Sequence, residues 1–288
     1  MPRSAPVEGV ALAYERHGAG DPVLLLHGWP GDRTDYEAVV PLLAGQAEVV
    51  VPDLRGFGAS DKPPAAPETY AAPAQARGLF GLLDELGLPS AVLAGYDIGS
   101  RIAQTAARAA PDRVRALVLS PPLPGAGERV LSAAAQREFW YQPFHALGLV
   151  EELVDGRPDA VRAYLRHFWS HWSGPAFEPD DRRLDHLVEV YGPPGALAAS
   201  VGWYRAGSGM VAMSLAERPP APQDRIALPT TVLWPEHDPL FPRAWSDRLE
   251  AFFGAAELER LDSVGHFTPV EAPQAFAAAI LGRLATSR

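Results

Sequence analysis

Ala91-Val92-Leu93-Ala94-Gly95-Tyr96-Asp97-Ile98-Gly99-Ser100 reads as a buried strand, a sharp turn and the opening of a helix. The turn carries the Gly-x-nucleophile-x-Gly spacing of a nucleophile elbow, with Asp97 at its centre. A serine there would need a base to take its proton before it could attack. A free carboxylate, with a pKa near ~3.9, is already ionised at neutral pH. It attacks saturated carbon by displacement and leaves an alkyl ester on the protein. That one side chain turns the expected chemistry away from ester hydrolysis.

Strand and helix patterns alternate on both sides of this segment. Val23–Leu26, Glu48–Asp53, Ala91–Gly95 and Val114–Leu119 are short apolar runs bounded by Gly and Pro. Such runs fit strands buried on both faces of a parallel sheet. Helical spacing lies between them at Tyr36–Leu43, Ala74–Leu86 and Ile98–Ala110, the last stopped by Pro111. Val7–His17 is expected to form an edge strand or hairpin, and Pro63–Pro73 a surface loop. After Pro121-Pro122-Leu123-Pro124-Gly125 the pattern becomes helical and rich in aromatics until Pro219-Pro220-Ala221-Pro222. Strand-like runs return at Thr230–Trp234 and Glu257–Leu261. The expected organisation is an α/β core in two parts, 1–122 and 219–288, with a helical cap at 123–218.

Three further segments complete a chemical set. His27-Gly28-Trp29-Pro30 ends an early strand, where backbone N–H groups of Trp29 and Ile98 could form an oxyanion hole while the His27 ring stays structural. Ser263-Val264-Gly265-His266-Phe267 follows the last strand. His266 has the titration range of a base that could activate water. Pro235-Glu236-His237-Asp238-Pro239 offers an acid to orient that histidine. Asp238 is favoured over Glu236 because it lies further past the strand end.

With those residues quoted, the chain resembles the epoxide hydrolases of the α/β-hydrolase family. The resemblance implies a mostly parallel eight-stranded sheet with helices on both faces and an inserted helical lid. It also implies two lid tyrosines that hydrogen-bond an epoxide oxygen. Phe139-Trp140-Tyr141-Gln142 and Gly202-Trp203-Tyr204-Arg205 are similar to those two motifs, so Tyr141 and Tyr204 are the expected donors, with His167 and His171 as alternatives for one of them. Asp53–Ser60 resembles a structural turn of the family. The aromatic lid makes Trp140, Trp169, His171, Trp172, Trp203 and Phe267 the expected pocket lining. His167 and His171, spaced i and i+4, share a helix face but lack a third ligand, so no metal is expected. The implied reaction takes a small hydrophobic epoxide and water to a diol and needs no cofactor.

Rival readings share part of this set. A haloalkane dehalogenase uses the same ester, but relatives of that kind carry Trp after the aspartate, where this chain has Ile98. A fluoroacetate dehalogenase has two arginines after the aspartate, of which only Arg101 is matched. A non-catalytic receptor on the same fold predicts a broken set, whereas Asp97, Asp238 and His266 are all present. A serine esterase is disfavoured because Ser100 lies outside the elbow's centre.

Bulk properties narrow the rest. The 288 residues carry a net charge of −10, which argues against nucleic acid or an anionic membrane as partner. There is no cysteine, which excludes disulfides and thiol catalysis. One lysine, Lys62, among many arginines suggests a GC-rich bacterial genome. Residues 1–10 lack a signal-peptide pattern and no long apolar run occurs, so a cytoplasmic monomer or homodimer is the expectation.

Overall fold

A computed structural model describes residues 1–64 and 66–286. Its centre is one sheet of seven strands: β1 (Tyr14–Gly18), β2 (Asp21–Leu26), β3 (Ala47–Pro52), β4 (Ala91–Gly95), β5 (Val114–Leu119), β6 (Thr230–Pro235) and β7 (Ala256–Leu261). They lie in the order β1-β3-β2-β4-β5-β6-β7, antiparallel only between β1 and β3. The apolar runs explain the interior of this sheet: every residue of β4 and β6 is buried. β7, at the edge, instead presents Glu257, Glu259 and Arg260 to solvent, which blocks further strand pairing.

Strand order reverses beside β2. The chain runs from β2 outward to β3, then returns to place β4 on the other side of β2. Right-handed crossovers in opposite directions put their helices on opposite faces. Helices Ala72–Glu85 and Asp97–Ala109 pack together over one face, and Pro273–Thr286 packs with Val40–Leu43 over the other. The reversal opens a crevice at the carboxyl ends of β2 and β4, the usual ligand position in such sheets.

The eighth strand is absent among the described residues. The N-terminal segment reduces to isolated bridges, Arg3 to Ala13 and Val7 to Val10. Pro2 and Pro6 have no N–H to extend a ladder. Glu8 and Gly9 then turn the chain with left-handed backbone, φ 52° and 78°. The expected helix at Tyr36–Leu43 is also divided, into a 3-10 turn at Arg33–Tyr36 and a single helical turn at Val40–Leu43. Pro41 is accommodated only in a first turn, so the helix begins just before it. The Pro63–Pro73 stretch contains a 3-10 turn at Pro67–Tyr70 and the start of the helix Ala72–Glu85, with Tyr70 buried; residue 65 lies outside the described residues.

Between β5 and β6 the chain leaves the sheet. From Gly127 to Ala216 it forms only helices among the described residues, including Tyr141–Ala146, Pro158–Trp172, Asp181–Tyr191 and Gly202–Arg205. This excursion returns over the crevice, where its aromatics join the same apolar core as the sheet. No helix among the described residues is long and apolar enough to cross a membrane.

Candidate active site

The elbow is built by its glycines. A Cβ on Gly95 would lie 2.6 Å from the Gly99 carbonyl carbon, and one on Gly99 would lie 2.1 Å from the Leu26 carbonyl oxygen. Strand, turn and helix can approach this closely only if both positions lack side chains. Asp97 absorbs the turn with φ 49°, a left-handed conformation costing ~1–2 kcal/mol for a residue with a Cβ. The strain lifts its carboxylate above the end of β4 into the crevice.

Three loops meet there. The Trp29 N–H, after β2, donates to Asp97 Oδ1 at 2.8 Å. His266, after β7, places Nε2 3.3 Å from Asp97 Oδ2. This is an ion-pair contact outside hydrogen-bond alignment. Asp238, after β6, contacts His266 Nδ1 through Oδ2 at 2.9 Å and accepts the Leu240 N–H on Oδ1 at 2.9 Å. Asp97, Asp238 and His266 are all buried. Glu236, the competing acid, is exposed and accepts from the Ser263 N–H instead. Ile98 is the second residue of the helix Asp97–Ala109, where first-turn N–H groups have no intrahelical acceptor.

Electrostatics at His266 oppose each other. Burial pushes its pKa down, but the charges of Asp238 and Asp97 and their contacts outweigh it and hold the imidazole at about 10. The two neighbouring acids thus favour the protonated ring in the resting site.

His27 has a different role. Its Nε2 accepts the Leu54 N–H at 3.0 Å and its Nδ1 faces the Gly28 carbonyl at 2.9 Å. Burial pushes its pKa down, so the neutral ring ties the loop after β2 to the loop after β3. Within Asp53–Ser60, buried Asp53 accepts from the Arg33 and Ala59 N–H groups, and a Cβ on Gly58 would fall 2.1 Å from its carboxyl carbon. That segment braces the loop.

Beside Asp97 lies a narrow cavity of about 10 Å³, room for little more than one water. Its walls include Tyr141, Tyr204, Trp203, Met210 and Phe241. The rings of Tyr141 and Tyr204 meet edge to face at 5.6 Å. Burial first, and the nearby Asp97 charge second for Tyr141, lift its hydroxyl well above the ordinary phenol range; burial does the same for Tyr204. Gln142 donates to the Tyr141 hydroxyl at 3.3 Å, which leaves the phenol's own proton to point elsewhere. The Trp29 ring is the hub: it stacks on Tyr141 at 5.7 Å and meets His145 and Phe168 edge-on.

The expected lining divides. Trp203 lines the cavity. Trp172 is buried against the His266 ring, 5.0 Å between centroids. Trp169 and Phe267 stack on each other at 3.7 Å, with the Trp169 indole donating to the Pro30 carbonyl, so they clamp excursion to core away from the cavity. Trp140 is 42% exposed and packs on Phe168. His171 is exposed and pairs with Glu138 at 2.7 Å, and His167 stacks on it at 5.6 Å, so both point away from Asp97. Helical spacing shows which residues share a face but not which face meets the crevice. Among the described residues no group of three potential metal ligands converges.

Other participants carried no sequence signal that singled them out. His145 is buried 4.7 Å from the Tyr204 ring. Gln142 and Met210 line the cavity. Glu271 accepts the N–H groups of Gly265, Gly174 and Phe267, and so holds the His266 loop to the excursion. It is the last residue of the short helix Thr268–Glu271, four residues after Phe267. Arg101 borders the cavity but is met by Glu217 at 3.3 Å and the Leu123 carbonyl at 3.2 Å.

A mostly parallel sheet with a strained elbow at its switch point, and an aspartate on that elbow, defines a hydrolase-type α/β scaffold. The chain belongs to the alpha/beta hydrolase fold family, whose model matches residues 21–273. It is 28% identical to a soluble epoxide hydrolase of Corynebacterium sp. (strain C12), over 94% of this chain and 92% of that one. It is 32% identical to a fluoroacetate dehalogenase of a Burkholderia species, over 66% of this chain and 64% of the relative. The solved structure of the epoxide hydrolase CorEH superposes with a TM-score of 0.83 at 25% identity, covering 100% of this chain and 99% of that one.

Proposed function

We propose that the protein is an epoxide hydrolase, with residues 123–218 acting as a cap over the site. Asp97 attacks one epoxide carbon from the side opposite the departing oxygen and forms an alkyl ester. Tyr141 and Tyr204 donate to the oxygen as it becomes an alkoxide. The phenol that gives up its proton is reprotonated at the expense of the His266 imidazolium, which leaves that ring neutral. Oriented by Asp238, it then takes a proton from water, and that proton set is returned when the diol oxygen leaves. The hydroxide adds to the Asp97 carbonyl carbon, the N–H groups of Trp29 and Ile98 hold the oxyanion, and the ester breaks to release a vicinal diol.

The observation that carries this reading is the pair of phenols beside the elbow, Tyr141 buried and Tyr204 partly buried. A group that protonates an alkoxide must itself stay protonated until the bond breaks, and burial holds both phenols in that state. Apolar walls at Ile98, Met210 and Phe241 favour a hydrophobic substrate. The dehalogenase readings have less support. The indole N–H of Trp29, a donor that a halide beside Asp97 would need, is engaged by Ser200. The charge of Arg101, which a substrate carboxylate would need, is compensated by Glu217.

A panel of styrene oxide, a bromoalkane, fluoroacetate and a p-nitrophenyl ester separates the alternatives: diol without halide release is the expected result. A single turnover in ¹⁸O water should label the peptide bearing Asp97 and leave the first diol unlabelled. Label passing straight into the diol, with none in the protein, would exclude the ester. Tyr204→Phe is expected to slow ester formation by ~10²-fold, the usual scale for a lost general acid. Ester hydrolysis, which does not use that proton, should change far less; equal slowing of both steps would remove Tyr204 from its role.

A further inference from the structure

One short segment ties the excursion to the core through three ion pairs and a hydrogen bond. Helix Asp181–Tyr191 lies against residues 31–37, which continue the loop carrying the Trp29 amide. Arg182 pairs with Glu37 at 2.9 Å, Arg183 with Asp35 at 3.0 Å and His186 with Asp32 at 2.8 Å, while the Tyr191 hydroxyl donates to the Gly31 carbonyl at 2.6 Å. The first pair is solvated and contributes little. Asp32 and Asp35 are buried carboxylates, each 1% exposed at the side chain, and removing a partner from a buried ion leaves a large uncompensated cost.

Asp35 also reaches the elbow. Its second oxygen accepts the Tyr96 hydroxyl at 2.6 Å. Tyr96 is the residue before Asp97, and its ring lies 6.0 Å from that of His266. A Cβ on Gly28 would lie 2.7 Å from the Tyr96 ring, and one on Gly31 would lie 1.9 Å from the Asp35 carboxylate. The loop is thus moulded around the Asp35–Tyr96 contact. Arg183 also covers Trp169 at 4.6 Å, and Trp169 stacks on Phe267, the neighbour of His266.

We propose that Arg183 is a positioning residue: by holding Asp35, and through it Tyr96, it sets the elbow and the Gly28–Gly31 loop only when helix Asp181–Tyr191 is docked. The proposal rests on the epoxide hydrolase reading for what is being positioned. Asp35 is faced by Arg183, His186 and Tyr191 from the excursion, by Tyr96 from the elbow, and by Asp32 and Tyr36 from its own segment. Burial raises its carboxyl to about 7, with Arg183 pulling the other way. Removing Arg183 therefore raises it further and protonates the Tyr96 acceptor at neutral pH.

The test compares Arg183→Gln, Arg183→Lys and Arg182→Gln, the last altering only the solvated pair. Arg183→Gln should slow formation of the covalent adduct ~10- to 100-fold at neutral pH, the scale of a displaced reacting group. Its acid limb should move up by ~1 unit, the usual effect of one neighbouring charge. Arg183→Lys should recover most of both effects, and Arg182→Gln should match the wild type. Thermal unfolding supplies a readout independent of catalysis. A carboxyl whose folded pKa is raised keeps a proton that the unfolded chain releases, so stability falls as pH climbs from ~4 to about 7. In Arg183→Gln the fall should continue above that range, widening the melting-temperature gap from wild type. An unmoved acid limb with a gap constant across pH would overturn the proposal and leave Arg183 a packing residue. If no epoxide forms an adduct even with the wild type, the functional reading fails; a constant gap would then still overturn the Arg183–Asp35 coupling and a widening one would uphold it.

Discussion

His266→Gln is expected to stop turnover with the substrate still attached to the protein. Asp97 needs no base for its attack, so the ester should form at a rate near that of the wild type. Its hydrolysis loses the group that takes a proton from water, a loss of ~10²–10⁴-fold. Intact mass should rise by the mass of one epoxide and remain raised; an unchanged mass after a single turnover would contradict the scheme. The same residue makes a pH prediction. In the resting site Asp238 and Asp97 together hold His266 at about 10 against the effect of burial. Esterification removes the Asp97 charge and leaves burial less opposed, so the imidazole pKa falls and the ring can act as a base on water. The pH at which ester hydrolysis gains its base should therefore lie below the pH at which His266 ionises in the free protein. Stability follows the resting value. The share contributed by protonated His266 is complete below ~6.5, where an unfolded histidine titrates, and is lost as pH rises through about 10. The stability difference between wild type and His266→Gln should shrink across that range.

Asp97→Ala should abolish both turnover and adduct. Loss of a covalent nucleophile costs at least ~10⁴-fold, because the remaining groups have nothing to act upon. The fold should survive. The Trp29 N–H loses its 2.8 Å acceptor, which costs ~1–3 kcal/mol for a buried donor, while Gly95 and Gly99 keep the turn. The two variants give opposite mass spectra on the same substrate, one with a trapped adduct and one with none. An adduct on Asp97→Ala would move the nucleophile elsewhere and end the present mechanism. Circular dichroism on both variants separates a lost reaction from a lost fold.

The elbow was legible because its constraints are local. Two glycines, an intervening acid and flanking apolar and helical runs specify a strand–turn–helix whose atoms must touch. The same holds for Gly28 and Trp29 after β2, and for the order of Asp238 and His266 after later strands. The prolines at 121–124 fall between β5 and the 3-10 turn that begins at Gly127, and those at 219–222 between Ala216 and β6. The edges of the fold were less legible. The eighth strand failed at Pro2 and Pro6, and the helix at Tyr36–Leu43 divided at Pro41, where backbone donors are missing.

By itself the sequence indicated a parallel α/β core, an aspartate in a sharp strand-to-helix turn, and an acid and a histidine on later loops. These depend on neighbours within a few residues or on strand ends that one sheet must gather. The tertiary structure alone decided which aromatics face the cavity: Trp203 does, whereas Trp140 packs outward and Trp169 stacks on Phe267. It alone joined Asp35 to Tyr96 and to Arg183, 61 and 148 residues away. Such contacts depend on how one helix face is rotated against another surface, and the energy that fixes the rotation is shared among many distant side chains.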